Sequence, residues 1–333
     1  MNPKYDIITF GSTTQDVFLK SKNFKIKEEK KVFAGKGICI SLGSKIMVED
    51  IEFLSGGGGT NTAFTFKNQG FKVAYCGVVG EDFSGRAIKK ELKNKGISTE
   101  FLYFTNKKHT NYSVILATDK ERTILVYRGA SDELKEKDIL WQKLKAKWFY
   151  LAPFSQKLII LFEKILKFAK RNKIKIAINP GNTQLQIEKR KLKKLLNLAD
   201  VLILNQEEAS LATNLPYDRE KEIFKKLDKW IKGICIMTKG PLGGIVSDGK
   251  YLYYYGILKT KKEIDHTGLG DAFGSGFITG LIKTNSIEYA IQLASANATS
   301  CLLKLGAKKG LLKKNDSIWQ FGKVPLKKIK IKE

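Results

Sequence analysis

The chain has 333 residues, 43% of them hydrophobic, which suits the packed core of a single large α/β unit. Its 60 Lys and Arg against 33 Asp and Glu give a net charge of +27. Only six of the 60 are Arg, and the lysines are strewn along polar faces such as that from Lys157 to Lys173, so the charge reads as solvated surface and argues against specific nucleic-acid recognition. No apolar run approaches the roughly 20 residues of a membrane span. Cys39, Cys76, Cys235 and Cys301 lie far apart, and His109 and His266 are the only histidines. The expectation is a cytoplasmic protein with free thiols and no His-rich metal site, leaving oxygen-ligated Mg²⁺ open.

In chain order, Tyr5 to Phe10 reads as a short apolar strand, and Gly11 to Asp16 as a turn ending in an acid. Phe18 to Phe53 is glycine-punctuated and alternating, as in Lys31 to Phe33 and Lys45 to Val48, with no helix of useful length. Four glycines, Gly56 to Gly59, then open a helical pattern. Thr110 to Tyr127 carries two β-rich runs around Ala117 to Glu121, the signature of a hairpin. Beyond residue 140 the period changes. Strands at Lys147 to Leu151, Ile174 to Ile178 and Val201 to Leu204 alternate with helical runs at Ser155 to Arg171, Ile187 to Leu198 and Gln206 to Ala212, predicting βα units on a parallel sheet. In such folds the carboxyl ends of the strands carry the ligand, and Asp16, Asn179, Asn205 and Thr238 all fall there. Lys327 to Lys332 alternates like an edge strand, with an exposed basic tail as the alternative.

The chemistry concentrates in Asp265 to Gly276. Gly268 and Gly270 let the backbone turn its N–H groups inward, and a helix starting near Asp271 adds its positive end, making a phosphate cradle with a base at its lip. A helix N-terminus lowers the pKa of an acid, so Asp271 is expected to be ionised. The plainer alternative makes Asp271 an N-cap and the glycines a tight turn. Asn205 to Glu208 follows a strand, and either caps a helix or offers Glu208 to a hydrated Mg²⁺, with Glu207 solvated. Two other phosphate motifs fail. Gly244 to Lys250 nearly spells a P-loop, but Tyr251 stands where a Ser or Thr is needed, and the third glycine of a dinucleotide fingerprint would have to be Phe273.

Gly56, Gly57, Gly59, Asn61 and Ala63, together with the run from Asp265 to Phe273, resemble the two motifs of the ribokinase-like (PfkB) family of carbohydrate and nucleoside kinases, in the family's order, within a likeness extending from about Tyr5 to about Gly310. Leu269 departs from it, standing where the family usually has Ala. The resemblance implies a three-layer α/β/α fold with a mostly parallel central sheet and a small β-sheet lid. It places a kinase domain over residues 1–320, lid segments at about 18–54 and 100–128, and a basic strand or tail at 321–333. It implies ATP-dependent phosphorylation of a primary hydroxyl of a sugar or sugar-like alcohol. A nucleoside kinase of the same fold and a catalytically silent sugar- or nucleotide-binding regulator are the alternatives.

Carried over residue by residue, the resemblance makes Asp271 the base and Gly268, Leu269, Gly270 and Asp271 the anion hole. Asp16, Gly57, Gly58 and Asn61 bind substrate, and Arg128 either holds an acidic sugar or sits on the lid surface. Asn179, Thr238, Gly240, Gly243 and Asn297 bind the nucleotide, although Asn179 and Asn297 also read as a plain cap or core amide. Glu208 and Asn205 serve Mg²⁺, and Asp265 serves K⁺ or another monovalent cation. The expected partner is a sugar or nucleoside, with no specific nucleic acid and no membrane; a homodimer through the lid is one arrangement open to the chain.

Overall fold

A computed structural model describes residues 3–28, 35–118, 122–260 and 262–331. The Lys31 to Phe33 run and the hairpin tip at 119–121 therefore lie outside the described residues. The buried strand β1 (Tyr5–Phe10) leads through a three-residue turn into β2 (Thr14–Lys20), a short hairpin of β3 (Lys25–Glu28) and β4 (Lys36–Cys39), and then β5 (Asp50–Gly56). Helix α1 (Gly58–Asn68) brings the chain back to β6 (Val73–Gly80), α2 (Phe83–Asn94) and β7 (Ser98–Thr105), after which β8 (Asn111–Ala117) and β9 (Arg122–Tyr127) leave the main body again. The βα alternation follows as β10 (Ala146–Leu151), α3 (Ile159–Arg171), β11 (Lys175–Ile178), α4 (Asn182–Leu185), α5 (Lys189–Leu196), β12 (Val201–Asn205), α6 (Gln206–Thr213), α7 (Glu220–Asp228) and β13 (Ile234–Thr238). The chain closes with β14 (Gly244–Ser247), β15 (Tyr251–Tyr255), α8 (Leu269–Thr284), α9 (Ile287–Leu302) and β16 (Leu326–Lys330).

Ten strands form one sheet in the order β16-β15-β14-β13-β12-β11-β10-β1-β6-β7, parallel from β7 to β13 and antiparallel beyond. Because side chains alternate across a strand, Ile8 and Phe10 enter one core beneath α3, α5, α6 and α7, while Ile7 enters a second beneath α1, α2, α8 and α9. Three layers result. The predicted strands and helices after residue 140 appear within a few residues of their expected bounds, and the C-terminal alternation pairs as the edge strand β16 beside β15. The Gly244 to Lys250 run is the start of the β14–β15 hairpin.

A second sheet, β5-β2-β8-β9, stands off the first as the lid. Two expectations shift here. Residues 98–105 join the large sheet as the edge strand β7, so the second lid piece begins at β8. Asp16 belongs to the lid strand β2, paired between Leu54 and Ser113, and not to a turn at a strand's end. Tertiary pairing on both sides extends the strand back over a stretch that reads locally as a turn.

A candidate phosphoryl-transfer site

Gly268 caps α8 with φ 76°, a left-handed conformation, and a methyl group there would overlap Ala307. Among the described residues the N–H groups of Leu269, Gly270 and Asp271 have no acceptor. A methyl on Gly270 would meet nothing within 4 Å, so the turn opens outward, while the Leu269 side chain packs back against the core. Asp271, in the first helical turn, accepts a hydrogen bond of 2.9 Å from Asn61 Nδ2. Asn61 reaches it because Gly57, at φ 93°, starts α1 close against the Ser12–Thr13 backbone. A methyl on Gly58 would lie 3.2 Å from Asp271 Oδ1, so only a bare backbone leaves the carboxylate room.

The Asp271 carboxyl shifts opposite to the direction that a helix N-terminus alone would give. Burial pushes its carboxyl above the usual carboxylate range, with Asn61 and Lys308 pulling the other way. The helix terminus does not prevail, because the acid sits between two packed helices and not on a solvated helix end. The shift makes Asp271 a stronger proton acceptor than an ordinary surface Asp.

Asp16 forms the facing wall. It is buried, a methyl on Gly56 would overlap its Oδ2, and burial raises its pKa to about 6 against the pull of the Ser113 hydroxyl, Lys308 and the Thr14 hydroxyl. Lys308 ties these acids together and carried no signal in a sequence full of lysines. Its Nζ donates to Ser55 Oγ at 2.5 Å, lies 3.7 Å from the Glu91 carboxylate and sits over the Phe64 ring at 4.5 Å. Burial lowers this ammonium to about 8, against the attraction of Glu91, Asp16 and Asp271.

Further along the same rim, Asn205 Oδ1 accepts the Glu208 N–H at 2.8 Å and Glu208 Oε2 accepts the Asn205 N–H at 2.9 Å, a capping box that fixes the start of α6. Glu208 lines a cavity of about 380 Å³ shared with Gly11, Ser12, Ser113, Arg128 and Gly181. Burial lifts its carboxyl to about 7, Glu207 and Asp271 adding repulsion, while Glu207 itself is exposed. The Tyr150 hydroxyl, which sequence reasoning passed over, is buried without a partner among the described residues, and it feels the charges of Asp271 and Glu208. Asn179 follows β11 and donates to the Ile203 carbonyl at 3.0 Å. Thr238 stands beside Asn205 in register, and Gly240 is exposed next to it. Gly243 is needed for packing, since a methyl there would overlap the Tyr255 carbonyl.

Asn297 takes the place of a core amide, one of its two expected readings. It is fully buried, its Nδ2 donates to Ala272 O at 2.8 Å and to Thr65 Oγ1 at 3.3 Å, and its Oδ1 accepts from Leu312 N at 2.9 Å. Both ends of the amide have partners in the core. The Asn205 side chain caps α6 and fixes the position of Glu208.

Among the described residues no group of three or more His, Cys, Asp and Glu gathers as a metal site. Glu208 still fits a largely hydrated Mg²⁺: one oxygen is held by the cap, the other has no partner among the described residues, and the raised pKa marks a carboxylate short of positive charge. Asp265 does not fit a free monovalent cation. Its oxygens are taken by Thr267, by the Gly306 N–H and by the guanidinium of Arg122.

The site thus places an acid, a glycine-opened helix start and a second acid, Glu208, on one rim, with a lid beside it. Residues 4–314 match the family described as pfkB family carbohydrate kinase. The chain belongs to that family. This pfkB-family kinase is 27% identical over 283 residues to a ribokinase of Haemophilus influenzae, covering 83% of this chain and 90% of that one. It is 25% identical over 258 residues to a nucleoside kinase of Methanocaldococcus jannaschii, covering 77% of this chain and 82% of that one. Its fold matches that of Arabidopsis thaliana ribokinase complexed with ribose and ATP at a TM-score of 0.78 and 20% identity, over 96% of this chain and 99% of that one. No helix of the described residues is long and apolar enough to cross a membrane.

Proposed function

We propose that this kinase transfers the γ-phosphoryl group of ATP to a primary hydroxyl of a sugar or sugar-like alcohol. The observation that carries the reading is the 2.9 Å hydrogen bond from Asn61 to Asp271, which holds a buried acid beside the unpaired N–H groups of Leu269, Gly270 and Asp271. Asp271 takes the hydroxyl proton as the substrate oxygen bonds to phosphorus and the bond to the ADP oxygen breaks. The N–H groups from Gly268 to Asp271 stabilise the charge on the transferring group. Asp16 and Asn61, with the Gly57 and Gly58 backbone, bind the substrate hydroxyls, and Arg128 at the cavity edge selects for charge. Asn179, Thr238 and Gly240 line the nucleotide side. Mg²⁺ held through Glu208 and its water shell neutralises phosphate charge when bound.

A nucleoside as the acceptor is the second reading, supported by the nucleoside kinase of Methanocaldococcus jannaschii and a cytidine kinase of Thermococcus kodakarensis among the relatives. A panel of sugars, sugar acids, sugar phosphates and nucleosides assayed by ADP release tests both. ATP binding with no alcohol-dependent ADP release from any acceptor would instead point to a silent regulator. The domain reading is one kinase unit carrying an inserted lid. The lid face opposite Asp16 carries Phe53 and Leu125, 62% and 55% exposed, which supports self-association through the lid. Sedimentation of the wild type against Phe53→Ser/Leu125→Ser checks it. Buried free thiols at Cys76, Cys235 and Cys301 suit a reducing, cytoplasmic setting.

A further inference from the structure

The carboxylate of Asp265 is 1% exposed and stands three positions before Gly268, where the anion-hole turn begins. Oδ1 accepts the Thr267 N–H at 3.0 Å and the Thr267 hydroxyl at 2.7 Å, while Oδ2 accepts the Gly306 N–H at 2.8 Å. Asp265 therefore ties together the two backbone pieces that frame Gly268, because Gly306 leads into Ala307, against which Gly268 is packed. These three donors are neutral and leave a buried charge uncompensated. The ion pair that compensates it, the only one Asp265 makes among the described residues, comes from Arg122, 143 positions away. Arg122 opens β9, at the outer edge of the lid sheet, and its guanidinium bonds to Oδ1.

We infer that Arg122 is a resident cation for the anion hole, carried by the lid and acting through Asp265 as a positioning residue. The guanidinium fills the place that a free monovalent cation would take, so order in the Thr267–Asp271 turn depends on a docked lid and not on dissolved K⁺. Arg suits the role because it stays charged when desolvated and presents several donors to one carboxylate. The inference rests on the kinase reading above for its rate measurements but not for its stability measurements.

The test compares wild type, Arg122→Met and Arg122→Lys in K⁺, Na⁺ or tetramethylammonium chloride at constant ionic strength, by kcat on an accepted alcohol and by thermal melting. Wild type is expected to keep its turnover and Tm across the three salts. Arg122→Met should lose about tenfold or more in kcat, as loss of one partner of a buried ion pair is costly, with ATP affinity little changed. K⁺ should restore much of that kcat and raise the variant's Tm, whereas tetramethylammonium should do neither, and Arg122→Lys should lie between. Strict K⁺ dependence of the wild type, or an Arg122→Met protein with wild-type rate and no cation response, overturns the inference. If Arg122→Met does not fold, the wild type's melting in the three salts and the Arg122→Lys cation response decide alone. Failure of the kinase reading is separate: no acceptor elicits ADP release from the wild type in any salt, while the melting comparison still reports on Arg122.

Discussion

The anion-hole region and the lid are built on opposite principles. Around Asp271, residues 210 positions apart meet between packed helices, and the neighbouring amides are fixed by several bonds, as Asn297 is by Ala272, Thr65 and Leu312. In the lid, β9 is exposed along most of its length, with Ile124, Leu125, Val126 and Tyr127 all exposed and Val126 and Tyr127 at the cavity. A rigid frame keeps charges where a transition state needs them, whereas a strand with little buried area opens and closes at low cost. Chemistry should then reside in the frame and substrate choice in the lid, so substitutions in the two regions should separate into effects on kcat and on KM, except at Arg122, the lid residue whose partner Asp265 lies in the frame.

The sharpest break is Asp271→Asn, which keeps the shape and the helix start but removes the base. Turnover should fall by roughly two to four orders of magnitude with ATP still bound. A near-normal kcat would falsify the base assignment. Asp16→Asn probes the junction, because the residue lies on a lid strand yet faces the frame. The sugar KM should rise about 10- to 100-fold, the range expected for hydrogen bonds to a charged group, with a smaller loss in kcat. Equal losses in both constants would move Asp16 into the frame.

Glu208 offers a test by pH. Its carboxyl titrates at about 7, so lowering the pH from 8 to 6 protonates it and removes the charge that attracts the metal. The Mg²⁺ concentration for half-maximal turnover should rise about tenfold over that interval, since proton and cation compete for one site. Glu208→Gln should show the higher requirement at both pH values. A Mg²⁺ titration insensitive to pH and to this variant would leave Glu208 as a helix cap alone. At the lid, Arg128→Ala should raise KM for anionic acceptors by about tenfold at most, given its exposure, and leave neutral ones unchanged. Equal behaviour toward both would place Arg128 on the surface.

The same contrast explains what could be read from the sequence. Tyr5–Phe10, Ala146–Leu151, Lys175–Ile178 and Val201–Asn205 announce themselves because a central parallel strand must be apolar on both faces. The glycine turns around Gly57 and Gly268 were legible because bare backbone near a ligand needs glycine. Lys308, Arg122 and Tyr150 were not, for each acquires its role only from neighbours supplied by distant segments, and one lysine among so many carries no local mark. Asn297 stayed double for the same reason, since a buried amide and a ligand amide look alike until their partners are known. Asp16 was recognised as a site acid but misplaced, because its strand is stabilised by β5 and β8 and not by its own residues.

Leu269→Ala should have the smallest effect, and for that reason it tests the frame most directly. The cradle is made of backbone N–H groups whose directions are set by Gly268 at φ 76°, by the Asn61–Asp271 bond and by the start of α8. The Leu269 side chain packs away from them against the α8–α9 core. Shortening it removes a partly buried side chain, so stability should drop by about 1 kcal/mol, seen as a lower Tm. The donors do not move, and kcat should stay the same or rise slightly as the turn gains room. A large loss of ATP binding would show that Leu269 contributes a contact of its own. A Tm decrease with unchanged kcat would show that the anion hole is held by the fold beneath it and not by the side chain at its centre.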